Sequence, residues 1–239
     1  MSRLFLVRHA QASFLEPDYD RLSPAGVTQA GLLGQYWARR KMVFDRVFTG
    51  PRIRQRDTAK IVGQACQDAG VDHPEALVMK EFDEYQGEAV LEQGLPGLLE
   101  IDSKIRELHQ VFQNSASSTE RRTNFQRMFE AVIGKWVGGE LHLHEVESWV
   151  EFCARVNRGL QQVILASGRG QQVAIFSSAG PVAVAIERAL NLEPEDTLRV
   201  VWMVRNCSYS EFLYSGERFT LSTFNSFPHL EDASMLTYR

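Results

Sequence analysis

Leu4-Phe5-Leu6-Val7-Arg8-His9-Ala10 is an apolar run with no polar alternation that ends on an arginine and a histidine. An unbroken run of this kind fits a strand covered on both faces of a parallel sheet. Ser23-Pro24 then reads as a helix start, with serine at the N-cap and proline at the first helical position. Val27, Ala30, Leu33 and Trp37 follow at helical spacing, which predicts a helix to about Lys41. Arg46-Val47-Phe48-Thr49 is a second short strand, stopped by Gly50-Pro51. A second helix follows, with Ile53, Ile61, Ala65 and Ala69 on one stripe before Gly70. Strand, helix, strand, helix is the α/β pattern.

The rhythm changes after a short third strand near Leu77 to Met79. From about Val90 to Glu145 the pattern is helical: Leu98, Ile101, Ile105 and Leu108 form one stripe, and Phe125, Met128, Phe129, Val132 and Trp136 another. Ser117 with Glu120 predicts a capping box, and Gly138-Gly139 closes that helix. Ser148 with Glu151 opens a further helix, with Trp149, Phe152, Val156, Leu160 and Val163 facing inward. The α/β rhythm resumes at Val173-Ala174-Ile175-Phe176, which ends in Ser177-Ser178, and Pro181 begins a helix through Leu190. The tail from about Arg199 to Phe224 suggests two or three strands, turning at Ser215-Gly216. The expected architecture is a three-layer α/β/α sandwich with a mostly parallel central sheet. It forms a single domain over residues 1–239, with a helical insertion at about residues 90–145.

The 239 residues, 44% hydrophobic and 23% charged, suffice to bury one sizeable core. A formal net charge of -4 argues against nucleic acid or an anionic membrane as partner, so a bound anion needs a local cluster of cations. Cys66, Cys153 and Cys207 are odd in number, widely spaced and without a CxxC pair, which fits free thiols in a reducing compartment and argues against a disulfide framework or a zinc site. The first apolar run is too short for a signal segment, no other stretch is long enough to span a bilayer, and a cytoplasmic chain is expected. The Asn206-Cys207-Ser208 sequon carries no meaning there.

In an open parallel sheet, ligands bind beyond the carboxyl ends of the strands. Arg8 and His9 follow the first strand, Arg54 opens the helix after the second, and Ser177-Ser178 end the late one. Guanidiniums and an imidazole gathered beside helix N-termini favour a phosphate, through bidentate hydrogen bonds and the helix dipole.

These motifs resemble the histidine phosphatase superfamily, also called phosphoglycerate mutase-like. Leu6-Val7-Arg8-His9-Ala10 resembles its signature strand end, with Ala10 where many members have glycine. Leu22 to Ala30 is similar to its L-[ST]-x-x-G-x-x-Q-A helix, and Gly50 to Ala59 to its S-P-x-x-R-x-x-x-T-A segment. Glu147-Ser148, Phe152, Arg155-Val156, Asn225 and His229-Leu230 extend the resemblance along nearly the whole chain.

The resemblance implies that His9 attacks phosphorus, that Arg8 and Arg54 hold the phosphoryl oxygens, and that water releases phosphate from a phosphohistidine. It implies a general acid in Glu81-Phe82-Asp83-Glu84-Tyr85: Glu84 is the favoured residue and Glu81 the alternative. Arg52 and Arg56 read as surface-helix charges. The family's late strand normally ends in Ser-His-Gly, and here the histidine position falls on Ser178. That serine contacts phosphate or caps a helix, and the lost donor costs about 100-fold to 1000-fold unless another group substitutes.

The function implied is a phosphomonoester hydrolase needing no cofactor or metal, with a small phosphorylated substrate or a phosphoprotein as partner. A catalytically impaired phosphate-binding protein and a mutase-type phosphotransferase are the alternatives. His142 and His144 read as exposed, and His73, His109 and His229 as surface residues.

Overall fold

The first apolar run forms β1 (Ser2–Arg8), buried along almost its whole length. In this computed structural model, residues 1–13 and 20–238 are described. After β1 come α1 (Pro24–Arg39), β2 (Arg46–Thr49), α2 (Ile53–Asp68) and β3 (Leu77–Val78). Next are α3 (Gly87–Ile101), α4 (Ser103–Gln113), α5 (Ser118–Val137) and α6 (Trp149–Ala166). Then follow β4 (Gln172–Ser177), α7 (Ala179–Leu190), α8 (Pro194–Met203), β5 (Tyr209–Ser215) and β6 (Arg218–Ser226).

The strands make one six-stranded sheet in the order β3-β2-β4-β1-β5-β6. β1, β2, β3 and β4 are mutually parallel, and the β5–β6 hairpin joins β1 antiparallel. This is the mixed α/β fold that the sequence predicts. Phe5 and Val7 point to one face of the sheet, where Leu33 and Trp37 of α1 and Val62 and Cys66 of α2 join them in a single core. Trp37 is fully buried and meets the rings of Phe5, Phe44, Phe176 and Tyr209. Leu4 and Leu6 face the other way, and α7 packs against β1.

The described chain divides into two compact units: Met1–Glu84 with the chain from Arg155 onward, and Tyr85–Ala154. The second is helical, with Tyr85 stacked on Trp136 at 5.4 Å and Trp136 meeting Trp149 edge-on at 5.5 Å.

Several local expectations change. The buried face of α2 is Arg54, Gln55, Thr58, Ala59, Val62, Gly63 and Cys66, whereas Ile53, Ile61 and Ala65 lie on its half-buried flank. Its first turns bury polar side chains, so an apolar stripe points at the wrong face. Asp102 splits the expected first insertion stripe: its carboxylate accepts from the amides of Lys104 and Ile105 and starts a new helix, leaving Ile101 82% exposed. Arg199 to Met203 belong to α8, not to a strand, behind Pro194 at a first helical position and the acidic Glu195 and Asp196. His73 and His229 are buried, not on the surface, whereas His142 and His144 are exposed.

The register sets the site. Arg8 lies beside Ser177, and Thr49 beside Phe176. The His9 amide continues the ladder to the Ser177 carbonyl at 2.7 Å, and the Gly50 amide to the Phe176 carbonyl at 2.9 Å. Three strands therefore end at one level. A Cβ on Gly50 would lie 2.2 Å from Gln55 Oε1 and 2.5 Å from the Phe82 carbonyl oxygen, so only glycine fits there. Gly50→Ala is expected to destabilise the fold by about 1–3 kcal/mol, seen as a lower urea midpoint with an unchanged slope.

Candidate active site

His9 is 5% exposed at the end of β1. Its Nδ1 lies 2.8 Å from the Ala10 carbonyl oxygen, and Arg54 Nε donates to its Nε2 at 3.1 Å. An arginine nitrogen is always a donor, so Nε2 carries the lone pair and Nδ1 the proton. Burial, then the positive charges of Arg54 and Arg8, hold the imidazole well below its usual range. The ring is thus neutral, with Nδ1–H anchored on the Ala10 carbonyl and the Nε2 lone pair turned to Arg54.

The loop after His9 is braced by residues of the motifs with no chemistry of their own. Thr58 Oγ1 accepts from the Ala10 amide at 3.0 Å and donates to the Arg54 carbonyl at 2.7 Å. Gln29 Oε1 accepts from the Gln11 amide at 2.8 Å. On the other side, the Cys207 amide donates to the carbonyls of Arg8 and His9, and Asn206 Nδ2 donates to the His9 carbonyl at 3.3 Å. Asn206 is 1% exposed, so the sequon is sealed inside the folded chain.

The cations do not all behave alike. Arg54 meets the imidazole directly, and its Nη1 pairs with Asp20 Oδ1 at 2.8 Å. Asp20 Oδ2 also accepts from the Ile53 amide at 2.8 Å, so this carboxylate spans a helix N-terminus and a buried guanidinium. Nothing in the sequence pattern singles out Asp20. Arg8 is buried, with Nη1 donating to the Val204 carbonyl, and its charge acts on His9.

Ser178 stands at the N-cap of α7 without capping it. Its Oγ accepts instead from Gln55 Nε2 at 2.8 Å, and Gln55 also donates to the Phe82 carbonyl at 3.3 Å. Gln55 is fully buried and was not legible as a site residue, because helical spacing does not reveal a partner on another strand. Both oxygens of Glu84 accept from the Gly180 amide, at 3.2 and 3.3 Å, which brings this carboxylate to the same helix start. Glu81 places its Cβ against Gly159 of α6. Arg155 Nη1 clamps the loop from behind by donating to the carbonyls of Lys80, Glu81 and Asp83.

Among the described residues no three His, Cys, Asp or Glu side chains are grouped to hold a metal ion. No helix of the described residues is long and apolar enough to cross a membrane.

A histidine phosphatase superfamily (branch 1) sequence model matches residues 4–226, and the chain belongs to this superfamily. No curated protein matches. Among solved structures, the chain is similar to a phosphoserine phosphatase from Entamoeba histolytica in complex with 3-phosphoglyceric acid: 17% identity, TM-score 0.62, covering 96% of this chain and 100% of that one. It is similar to a phosphoglycerate mutase from Bacillus anthracis, with 16% identity, a TM-score of 0.60 and coverage of 96% and 95%. An alpha-ribazole phosphatase from Shigella flexneri matches at 19% identity and a TM-score of 0.60, with coverage of 94% and 96%. At these identities the likeness shows the shared fold.

Buried neutral histidines make stability depend on pH. Burial lowers His9, His73 and His229, the last from 6.5 to about 4. Below 6.5 the unfolded chain takes up protons that the folded chain refuses, so stability is full above that pH and falls as pH drops. At about 1.4 kcal/mol per pKa unit, His229 contributes a loss on the order of 3 kcal/mol by pH about 4. Denaturant unfolding at neutral pH and near pH ~5 is expected to show this fall, and a smaller one in His229→Gln.

Proposed function

We propose that the protein is a phosphatase hydrolysing a phosphomonoester through a phosphohistidine on His9. The observation that carries this reading is the neutral imidazole, with Nδ1–H fixed on the Ala10 carbonyl and the Nε2 lone pair held against Arg54. In the first step Nε2 forms a bond to phosphorus while the ester P–O bond breaks, and Glu84 delivers a proton to the leaving oxygen. In the second, water attacks the phosphohistidine, Glu84 takes its proton, and the N–P bond breaks to release phosphate. Arg54 turns from the imidazole to the phosphoryl oxygens, and Arg8 adds positive potential at the end of β1. Ser178 supplies a neutral hydroxyl; its Oγ already accepts from Gln55, so its own proton is directed to another acceptor, the phosphoryl group.

No cofactor or metal enters this scheme. The substrate is a small phosphorylated molecule or a phosphoprotein, and the setting is cytoplasmic. The second reading, a phosphate-binding protein with impaired turnover, is favoured by the hydroxyl that Ser178 presents in place of an imidazole, which lacks positive charge. A mutase-type transfer would have to keep water from the phosphohistidine.

Turnover of an aryl phosphate decides between enzyme and binder. Wild type is expected to turn over, with His9→Ala lower by on the order of 1000-fold or more; equal background rates would remove the enzyme reading. Glu84→Gln is expected to lose about 100-fold or more on an alkyl phosphate, whose leaving oxygen needs a proton, and much less on 4-nitrophenyl phosphate. Glu81→Gln should match wild type on both. Asp20→Asn removes the chain's own anion from Arg54 and is expected to tighten inhibition by orthophosphate about tenfold.

A further inference from the structure

Arg52 reads from sequence as a surface charge, yet in the structure it is only partly exposed and pairs with an acidic side chain. It occupies the N-cap of α2, its own amide donating to Gln55 Oε1 at 3.1 Å. Its Nε donates to Asp83 Oδ1 at 2.6 Å, with the two side chains 34% and 33% exposed. The same Asp83 oxygen accepts from the Glu84 amide at 2.7 Å, and the Glu84 carboxylate sits on the Gly180 amide beside Ser178. Arg52 is thus tied into the wall that carries Glu84 and Ser178, while its neighbours Ile53 and Arg54 carry the wall that binds Asp20.

Its remaining capacity is the decisive feature. Among the described residues the Arg52 side chain hydrogen-bonds only to Asp83, through Nε, and its Nη1/Nη2 edge makes no hydrogen bond to any of them. That edge is a planar fork of the shape that receives a phosphoryl group in two parallel hydrogen bonds. The Arg52 charge is felt at His9, which it helps keep neutral, and at Glu84 and Asp20. The guanidinium thus stands within electrostatic reach of the imidazole, of Glu84 and of the carboxylate on Arg54. Ser178 itself offers only a neutral hydroxyl, already bonded to a neutral amide.

We propose that Arg52 is a further phosphoryl-binding residue, its Nη edge meeting the phosphoryl oxygens on the Glu84 side while Arg54 holds the opposite side. Asp83 is then a positioning residue: it fixes Nε and leaves the fork outward. The inference rests on the phosphatase reading above and adds the positive charge that Ser178 does not carry.

The test compares wild type, Arg52→Gln, Arg52→Lys, Asp83→Ala and His9→Ala in aryl phosphate turnover, in inhibition by orthovanadate and by orthophosphate, and in thermal melts. Arg52→Gln is expected to lose about 100-fold in kcat/KM. It should weaken vanadate, which resembles the transition state, at least about tenfold more than orthophosphate. Arg52→Lys, which keeps the charge and loses the fork, should fall between, and Asp83→Ala should lose less than Arg52→Gln. Equal losses in Arg52→Gln and Asp83→Ala, with vanadate and orthophosphate weakened alike, would make Arg52 a loop staple and overturn the proposal. Arg52→Gln within about twofold of wild type while His9→Ala is dead would overturn it and leave the phosphatase reading intact. Indifference to His9→Ala would sink that reading itself. Should Arg52→Gln fail to melt cooperatively, Arg52→Lys decides: a clear rate loss with a wild-type melt supports the proposal, and an unchanged rate overturns it.

Discussion

The contact between Arg54 Nε and His9 Nε2 is the constraint around which the rest of the site is arranged. It places a permanent cation against a buried imidazole, which is stable only if the ring is neutral and presents a lone pair. The Ala10 carbonyl completes the arrangement by taking the proton at Nδ1. Neighbouring side chains hold the backbone that carries the imidazole. Thr58 and Gln29 brace the backbone that carries Ala10, and Asn206 and Cys207 hold the backbone of His9 from the far side.

The sheet makes that contact possible. Parallel pairing of β1 and β2 on either side of β4 brings three strand ends to one level, and their last residues, Arg8, Thr49 and Ser177, are all polar. Gly50 lets Gln55 come close beneath this level, and Gln55 links α2 to Ser178 and to the carbonyl of Phe82. Buried amides of this kind are worth most when every donor is used, as here, because an unsatisfied one would cost more than the bond contributes. The Glu84 loop is secured separately, by Arg155 behind it and by Arg52 through Asp83 in front.

The framework was legible because it is apolar and continuous: β1, β2 and β4 announce themselves as short unbroken runs, and Ser23-Pro24 announces α1. In the candidate site, the spaced motifs around Arg8-His9 and Arg54, not either residue alone, pointed to two side chains that the fold brings into contact. Other features were hidden for physical reasons. The buried face of α2 is polar in its first turns, so periodicity pointed to its flank. α8 shares a region of apparent alternation with the strands that follow it. Asp20, Gln55 and Arg52 owe their places to contacts across the tertiary structure, which leave no trace in local spacing.

Asp20 gives the candidate site an anion of its own, tethered to the chain and seated on Arg54 and the Ile53 amide. A visiting carboxylate or halide would replace one unit of negative charge with another, and would give up the entropic advantage of the tether in doing so. A doubly charged phosphoryl group brings a surplus. On the proposed phosphatase reading, Asp20 would make the site sort ligands by valence before it sorts them by shape, holding its own carboxylate against monovalent anions and yielding to a dianion.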